Sequence, residues 1–174
     1  TQASAAKRAT VISTGDKDMA QLVSDHVTLV NTMTETTMDR QGVIDKFGVT
    51  PEQIIDYLAL MGDTADNIPG VPKVGPKTAT KWLNEYGTLD EVIAKADEIK
   101  GKIGENLRDS LEQLPLSKAL TTIKCDVELE LSIEQLQATP PDVDTLQKHF
   151  KEFEFKAWSD ELERGDSKAT KTSK

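Results

Sequence analysis

The first part of the chain alternates short β-branched runs with polar stretches. Runs at 10–13 and 27–30 are typical of strands, and the segment 17–23 between them has the composition of a short helix. A strand, a helix and a second, parallel strand make a small βαβ unit. Because two strands are too few for a stable parallel sheet, we expect this unit to be the remnant of a larger α/β core.

Helical periodicity follows a threonine-rich polar crossing at 31–37. A helix over 39–47 is predicted to end at Gly48, because glycine readily takes the left-handed conformation found at helix ends. A second helix over 52–61 begins just after Pro51, and its apolar residues share one face. This helix leads into the stretch with the richest chemistry.

Amphipathic helices are predicted for most of the remaining chain. They are expected over 78–86, 89–96, 103–114, 116–121 and 143–153. The alternating segment 123–131 is instead predicted to be an edge strand that keeps Cys125 partly buried, and Phe155 and Trp158 are expected to close the core. Three basic residues are expected to be solvated surface charges: Arg108, Lys118 and Lys124. The predicted fold class is therefore α/β but mostly α.

Composition narrows the class of protein. At 174 residues with 37% apolar residues, the chain can bury a core and should form one domain with at most a small appendage. No apolar run approaches the roughly 20 residues of a membrane span, so no membrane partner is expected. A single cysteine cannot form an internal disulfide. With only two histidines beside that cysteine, a zinc site is not expected. We expect a cytoplasmic monomer.

The net charge is negative, but one stretch is basic. Lys and Arg number 21 against 30 Asp and Glu, a formal net charge of −9, so any nucleic acid must be bound by a local patch. Residues 67–84 supply such a patch, because they contain Lys73, Lys77 and Lys81 and no acid. The prolines and glycines at 69–76 forbid a regular helix, so a hairpin between two helices is predicted there.

The predicted hairpin suits a phosphate backbone. Its glycines leave backbone N–H groups at a helix start open to a phosphate, and the nearby lysines add charge without reading a base. We therefore predict sequence-independent binding of nucleic acid. The predicted contacts are Gly70, Lys73, Gly75, Lys77, Thr78 and Lys81. A purely structural Gly-Pro loop between two helices is the plain alternative.

Four aspartates are candidate ligands of a hard cation. Asp16 and Asp18 follow the first predicted strand where a short helix begins, which is where α/β folds bind ligands. Asp63 and Asp66 are three residues apart, so a helix or a tight turn would direct both carboxylates the same way. Carboxylates without histidine or cysteine suit Mg²⁺ or Mn²⁺. The alternative for Asp16 or Asp18 is that it only caps the helix.

A family resemblance rests on three sequence motifs. The letters GVPKVGPKTA match the helix-hairpin-helix pattern, and GDTADNIPG stands directly in front of them. With TGDKD upstream, they resemble the helix-three-turn-helix of the 5′ nuclease (flap endonuclease) family, in particular the nuclease domains of bacterial DNA polymerases. The resemblance implies that Asp16, Asp18, Asp63 and Asp66 form half of an acidic site for Mg²⁺ or Mn²⁺. It also implies that backbone carbonyls near Val71 and Val74 hold a K⁺.

The resemblance further implies a function and a division of the chain. Members of the family act as 5′-3′ exonucleases and flap endonucleases, hydrolysing phosphodiesters of duplex DNA with a 5′ flap or nick and of RNA primers on DNA. Residues 1–61 would form the C-terminal part of an α/β nuclease core. Residues 62–162 would form a helix-hairpin-helix DNA-binding subdomain with C-terminal helices, and 163–174 a disordered linker.

The chain departs from the family in what precedes Asp16. The family places its other metal-binding acids upstream, including a Glu-x-Asp-Asp motif, and only 15 residues precede Asp16 here. We therefore expect trace nuclease activity at most, and a DNA-binding module without catalysis is the main alternative. A helical protein-interaction domain is a third interpretation, but it leaves the basic stretch 67–84 unexplained.

Overall fold

The computed structural model describes residues 1–164. The chain divides into two units, with the boundary between Leu129 and Glu130. The strands of the first unit are β1 (Thr10–Ser13), β2 (Val27–Asn31), β3 (Thr36–Met38), β4 (Gly62–Asp63) and β5 (Ile68–Pro69). Its helices are α1 (Gln2–Ala5), α2 (Arg40–Phe47), α3 (Ile54–Met61), α4 (Pro76–Tyr86), α5 (Leu89–Ala94), α6 (Lys102–Asp109) and α7 (Leu114–Thr121). The second unit contains α8 (Val143–Glu152) and α9 (Lys156–Glu163). Short 3₁₀ helices lie at Lys17–Leu22, Pro51–Gln53 and Ile133–Gln135.

The larger sheet of the first unit has the order β1-β2-β3. β1 and β2 are parallel, with Thr10 opposite Val27 and Ser13 opposite Val30. The predicted βαβ unit is therefore confirmed, with a 3₁₀ helix as its crossover. In a parallel pair the carboxyl ends of both strands meet at the same edge, and the TGDKD segment follows β1 at this edge.

The polar crossing predicted at 31–37 contains a third strand that was not predicted. β3 pairs antiparallel with β2, so this sheet has three strands rather than two. A local turn explains the hairpin, because the side-chain oxygen of Asn31 accepts hydrogen bonds from the N–H groups of Met33 and Thr34 at 2.9 and 3.3 Å. Glu35 takes a φ of 53°, in the left-handed region, within the same turn.

Helices α2 and α3 follow the predicted start and stop signals. Asp39 caps α2 by accepting a hydrogen bond from the N–H of Gly42 at 2.9 Å, and Gly48 ends the helix with a φ of 74°. α3 packs against both α4 and α7, and most of its residues are buried. It is the central helix of the first unit, so its C-terminal end sets the position of β4.

The core of the first unit joins helices that are distant in sequence. Leu58 of α3, Leu83 of α4, Leu107 of α6 and Leu114 of α7 are each at most 1% exposed. Full burial of one such side chain stabilises the fold by about 1.5–3 kcal/mol. The predicted fold class, mostly helical with a small parallel βαβ unit, is confirmed.

The predicted helix over 103–114 is interrupted. α6 ends at Asp109, and α7 begins at Leu114, earlier than the predicted start at 116. The hydroxyl of Ser110 donates to the backbone carbonyl of Asn106 at 2.8 Å, a contact that commonly bends or ends helices. The apolar spacing continues through the break, which is why periodicity alone predicts a single helix.

Two of the three basic residues predicted to be solvated are structural. Arg108 donates to two backbone carbonyls at 2.6 and 3.2 Å. Lys118 forms ion pairs with Asp56 at 3.0 Å and with Asp90 at 3.3 Å, and Asp56 is only 6% exposed. Removing Lys118 would therefore leave a buried charge without its partner. The prediction is correct for Lys124, whose side chain is 71% exposed.

The segment 123–131 is not the predicted edge strand. It pairs with no strand within residues 1–164, and Val127, Leu129 and Leu131 are exposed. Cys125 is exposed rather than partly buried. Alternation indicates which side of a strand faces a core, but a strand also needs a neighbour that completes its hydrogen bonds.

In the second unit, α8 and α9 are joined by aromatic side chains. The ring centroids of Phe155 and Trp158 lie 5.0 Å apart, and those of Phe150 and Trp158 lie 5.7 Å apart. Phe155 and Trp158 nevertheless remain 47% and 55% exposed, so the prediction that they close the core is wrong. Positions 165–174 of the predicted linker lie outside the described residues. Over residues 1–164, no helix is both long and apolar enough to cross a membrane.

Candidate metal centre and nucleic-acid interface

Two separate segments carry the predicted acids. Asp18 lies in the 3₁₀ helix that follows β1, while Asp63 lies in β4, directly after α3. Asp66 lies in the turn between β4 and β5, which pair antiparallel. α3 stops at Gly62, which has a φ of 75°. Asp63 and Asp66 therefore stand on a tight hairpin, which is one of the two arrangements that their spacing predicts.

Three of the four predicted acids converge. Asp18, Asp63 and Asp66, which we call the acidic cluster, each offer one carboxylate oxygen, and these oxygens lie within 4.8 Å of one another. Asp16 is not in this group. Its Oδ1 accepts a hydrogen bond from the N–H of Asp18 at 3.0 Å and caps the 3₁₀ helix, which is the capping role stated above as the alternative.

The acidic cluster has the properties of a cation site. Oδ1 of Asp18 is buried and has no hydrogen-bond donor among the residues that the structure describes. Burial raises the pKa of Asp18, and the negative charges of Asp16 and Asp63 raise it further. Leaving such an oxygen unpartnered costs about 1–3 kcal/mol, and a bound cation would remove that penalty. Oxygen-only ligands of this kind suit a hard divalent ion.

Lys17 is a residue of this site that the sequence reasoning missed. Its Nζ lies 2.6 Å from Oδ2 of Asp63, whose side chain is 4% exposed. This hydrogen bond lowers the pKa of Asp63 and raises that of Lys17. The N–H of Ala65 donates to the other oxygen of Asp63 at 3.0 Å. The sequence feature that could have indicated this role is the position of Lys17 within TGDKD, between Asp16 and Asp18.

The hairpin, defined as residues 70–78, leaves backbone N–H groups open. α4 begins at Pro76, with Gly75 as its N-cap residue. Among the residues described, no acceptor faces the N–H groups of Lys73, Gly75 or Lys77. The side chains of Lys73, Lys77 and Lys81 are exposed. Open N–H groups at a helix start, together with three exposed ammonium groups, make a surface suited to phosphates.

The two glycines of the hairpin differ in what they do for the fold. A Cβ on Gly70 would collide with the backbone of Met61 and Gly62, so the packing of the chain itself requires glycine there. A Cβ on Gly75 would meet nothing within 4 Å, and its φ of −114° suits any residue. The fold does not need glycine at position 75, so the open space there suits the close approach of an external group.

Side chains from α6, from α7 and from the residue that precedes α7 donate to three carbonyls at the start of the hairpin and just before it. The pairs are Asn106 to the carbonyl of Pro72 at 2.7 Å, Gln113 to that of Gly70 at 3.2 Å, and Ser117 to that of Pro69 at 2.7 Å. Asn106 and Ser117 are 9% and 1% exposed. These donors lie 34 to 48 residues away along the chain, so the sequence carries no local signal for them.

Two backbone hydrogen bonds join predicted residues within the hairpin. The N–H of Thr78 donates to the carbonyl of Gly75 at 3.0 Å and closes the first turn of α4. The carbonyl of Val71 accepts from the N–H of Val74 at 3.0 Å. A carbonyl oxygen has a second lone pair, so this bond leaves room for a cation. The K⁺ site near Val71 and Val74 stays a prediction.

Comparison with known proteins identifies relatives of the chain. Residues 49–144, more than half of the chain, match the model of the family described as 5′-3′ exonuclease, C-terminal SAM fold. The chain is 52% identical over 168 residues to DNA polymerase I of Pseudomonas aeruginosa, a match that covers 92% of this chain and 18% of that protein. It is 38% identical over 149 residues to a 5′-3′ exonuclease of Aquifex aeolicus, covering 86% of this chain and 50% of that one. The chain thus spans at most half the length of these two relatives.

Solved structures share the fold. A flap endonuclease of bacteriophage T5, in a complex with DNA and metal ions, superimposes with a TM-score of 0.60 at 27% identity, over 64% of this chain and 42% of that one. The catalytic core of Rad2 in complex with a DNA substrate has a TM-score of 0.56 at 18% identity, over 87% of this chain and 54% of that one. At 18% identity, the similarity to Rad2 is one of fold alone.

Proposed function

Since this chain belongs to the 5′-3′ exonuclease family, we propose that it supplies a DNA-binding hairpin and part of the metal centre of a structure-specific 5′-3′ exonuclease or flap endonuclease. The observation that carries this proposal is the convergence of Asp18, Asp63 and Asp66, with the hairpin following a few residues later. The reaction is hydrolysis of a phosphodiester. The proposed substrates are duplex DNA with a 5′ flap or nick and RNA primers on DNA.

Duplex binding is assigned to the hairpin. The open N–H groups of Lys73, Gly75 and Lys77 would donate to phosphate oxygens, and the positive end of the α4 dipole favours the same anion. Lys73, Lys77 and Lys81 add charge at this surface although the chain carries a formal net charge of −9. None of these groups reads a base edge, so binding is independent of sequence.

Metal binding is assigned to the acidic cluster. Asp18, Asp63 and Asp66 would hold a divalent cation, which we propose to be Mg²⁺ or Mn²⁺, and Asp16 adds negative charge beside Asp18. When bound, such an ion lowers the pKa of an attacking water and neutralises a leaving oxygen.

The chain's own packing positions the acidic cluster relative to the DNA-binding surface. Gly62 and Gly70 approach so closely that a Cβ on either would collide with the backbone of the other. Asp63 follows the first of these glycines, and the hairpin begins at the second. This contact ties the start of the hairpin to the segment that carries Asp63. A phosphodiester backbone bound at the hairpin would be kept at a fixed distance from the carboxylates, as an in-line displacement requires.

Three further proposals accompany this function. Residues 1–61 serve as the C-terminal part of the nuclease core, and residues 62–162 serve as the DNA-binding subdomain. The protein acts as a cytoplasmic monomer. A K⁺ held by carbonyls near Val71 and Val74 would link the hairpin to a phosphate, and DNA affinity would then be lower when the potassium salt is replaced by one of a larger cation.

The alternative is a DNA-binding module without catalysis. It is favoured by the number of ligands, because three carboxylates that offer one oxygen each are few for the paired ions of a two-metal hydrolysis.

One experiment tests both functions. The full chain is mixed with plain duplex in EDTA, and then with a 5′-flap duplex and Mg²⁺. We expect salt-dependent binding to the plain duplex and, from this chain, at most trace cleavage that is lost in Asp63→Asn. No binding to duplex would contradict the proposed function, whereas rapid cleavage would exclude the alternative.

A further inference from the structure

We propose that Lys17 is a built-in counter-ion of the acidic cluster, which occupies a carboxylate oxygen needed by the divalent cation and is released when that cation binds. The inference rests on the proposed metal centre and concerns how that centre is controlled. Its basis is the ion pair of 2.6 Å between Nζ of Lys17 and Oδ2 of Asp63.

The pair joins the two segments that carry the cluster. Lys17 lies in the 3₁₀ helix after β1, beside Asp18, whereas Asp63 lies in β4. The cluster places oxygens from three carboxylates within 4.8 Å of one another, and these charges repel unless a cation lies among them. Lys17 supplies one positive charge to this place without any metal.

A divalent ion and this ammonium compete for the same oxygen. A cation such as Mg²⁺ must approach a carboxylate oxygen to about 2.1 Å, and its charge would repel an ammonium held on that oxygen. Asp63 cannot turn away from the competition, because its side chain is 4% exposed and its other oxygen accepts from the N–H of Ala65 at 3.0 Å. Lys17 can, because its side chain is 39% exposed at the end of a flexible stem.

One oxygen of the cluster stays unsatisfied while Lys17 is in place. The ammonium lies against Asp63, whereas Oδ1 of Asp18 is buried with no donor within residues 1–164. A single lysine therefore satisfies the cluster only in part. A divalent ion that contacts all three carboxylates satisfies the cluster more completely. Replacement of the ammonium by the divalent ion is therefore favoured.

Lys17→Met tests the exchange, with Lys102→Met as the matched control. Lys102 also belongs to an ion pair, with Glu105 at 2.9 Å, but both side chains are exposed. Binding of Mn²⁺ is measured by calorimetry, and melting temperature is measured in EDTA and at saturating Mn²⁺. We expect Lys17→Met to bind Mn²⁺ roughly threefold to tenfold more tightly and to melt lower than the unmodified chain in EDTA only. Lys102→Met should change neither property.

The outcomes separate this inference from the proposed metal centre. If Asp63→Asn leaves the Mn²⁺ heat unchanged, the metal centre itself is wrong. If Asp63→Asn abolishes that heat while Lys17→Met binds Mn²⁺ no more tightly, only the counter-ion role is wrong. An equal loss of melting temperature in EDTA and in Mn²⁺ would also overturn it, because a purely structural ion pair behaves in that way.

A double variant covers the case in which Lys17→Met does not fold without metal. Lys17→Met combined with Asp63→Asn removes both charges, so no buried carboxylate is left without its partner. We expect the double variant to fold in EDTA and to bind no Mn²⁺. If it stays unfolded in EDTA, Lys17 acts through something other than Asp63, and the proposal is wrong.

Discussion

The acidic cluster and the hairpin lie at the two ends of the β4–β5 strand pair, and they are prepared for charged ligands in opposite ways. In the acidic cluster, three carboxylates converge, a lysine pairs with one of them, and a buried oxygen of Asp18 lacks a partner. At the hairpin, uncharged backbone groups are held by neutral side chains, and the N–H groups of Lys73, Gly75 and Lys77 have no acceptor among the described residues.

This difference determines what each region gains from its ligand. The carboxylates of the acidic cluster repel one another, so the divalent cation that we propose for this site should stabilise the fold when it binds. We propose that the hairpin has its DNA-binding shape before DNA arrives, because side chains of α6 and α7 donate to the carbonyls of Pro72, within the hairpin, and of Pro69, just before it. Pre-organisation of this kind lowers the entropy lost on binding. Variants of the acidic cluster should therefore change metal-dependent stability, whereas variants of the hairpin should change DNA affinity.

The largest effect is expected from Asp18→Asn. The variant removes a ligand of the acidic cluster, so Mn²⁺ affinity should fall by at least about 100-fold. It also removes the charge of a carboxylate whose Oδ1 is buried without a donor, so the free energy of unfolding in EDTA should rise by about 1 kcal/mol. Calorimetry and thermal melting measure the two changes.

Asp97→Asn is the control for Asp18→Asn, because Asp97 is exposed and lies outside the acidic cluster. It should change neither measurement. If Asp18→Asn were less stable than the unmodified chain in EDTA, the description of the acidic cluster as a set of carboxylates that repel one another would be wrong. Binding of duplex in EDTA should be equal for both variants, since the hairpin is intact in each.

The next largest effect is expected from changing Lys73, Lys77 and Lys81 together to Ala. Each lysine that contacts a phosphate contributes about 1 to the slope of log affinity against log salt, so the slope should flatten by about 3. Affinity at low salt should fall by roughly 100-fold, and equally for unrelated duplex sequences. Metal binding should not change.

A second triple variant controls for net charge. It changes three exposed lysines outside the hairpin and α4 to Ala: Lys95, Lys100 and Lys102. It should lower affinity only slightly, because none of these lysines belongs to the surface assigned to the phosphates. Equal losses in the two triple variants would mean that bulk charge, rather than the hairpin, binds the duplex.

A smaller effect is expected from Asn106→Ala, which removes the donor to the carbonyl of Pro72. Loss of a buried hydrogen bond should lower the free energy of unfolding by about 1–3 kcal/mol. DNA affinity should fall by roughly tenfold at temperatures where the variant is still folded, because the hairpin is no longer held in shape.

Ser117→Ala, which removes the donor to Pro69, should act in the same direction as Asn106→Ala. Both variants are measured by denaturant unfolding and by duplex binding. If both lost stability and kept full DNA affinity, the hairpin would keep its binding shape without these contacts, and the contrast with the acidic cluster would weaken.

The sequence predicts what depends on neighbours along the chain. The strands at 10–13 and 27–30 and the helix between Asp39 and Gly48 follow from local composition and capping. The convergence of Asp63 and Asp66 follows from a tight turn. These features need no knowledge of distant residues.

The features that the sequence does not predict depend on contacts across the fold. The pair of Lys17 with Asp63 and the contact of Asn106 with Pro72 join separate segments. The segment 123–131 alternates as a strand does, but no neighbouring strand completes it within the described chain. Trp158 is apolar enough for a core, yet it packs on the aromatic residues of its own unit.

The smallest effect is expected from Gly75→Ala, and it is the sharpest test of the hairpin. A Cβ at this position meets no atom of the chain within 4 Å, so the fold tolerates it. Alanine is a poorer N-cap residue than glycine, so the free energy of unfolding should change by less than about 1 kcal/mol. DNA affinity should fall by roughly threefold to tenfold, because the added methyl group occupies the space that a phosphate approaches.

Gly75→Ser separates the space at position 75 from its capping role. Serine is a favoured N-cap residue, so this variant should be at least as stable as the unmodified chain, but it carries the same Cβ. If space is what matters, Gly75→Ser binds duplex as weakly as Gly75→Ala, and a gel-shift titration in EDTA shows equal losses. If Gly75→Ser binds as tightly as the unmodified chain, glycine at position 75 serves the start of α4 rather than a bound phosphate, and the hairpin would have to bind DNA through its lysines alone.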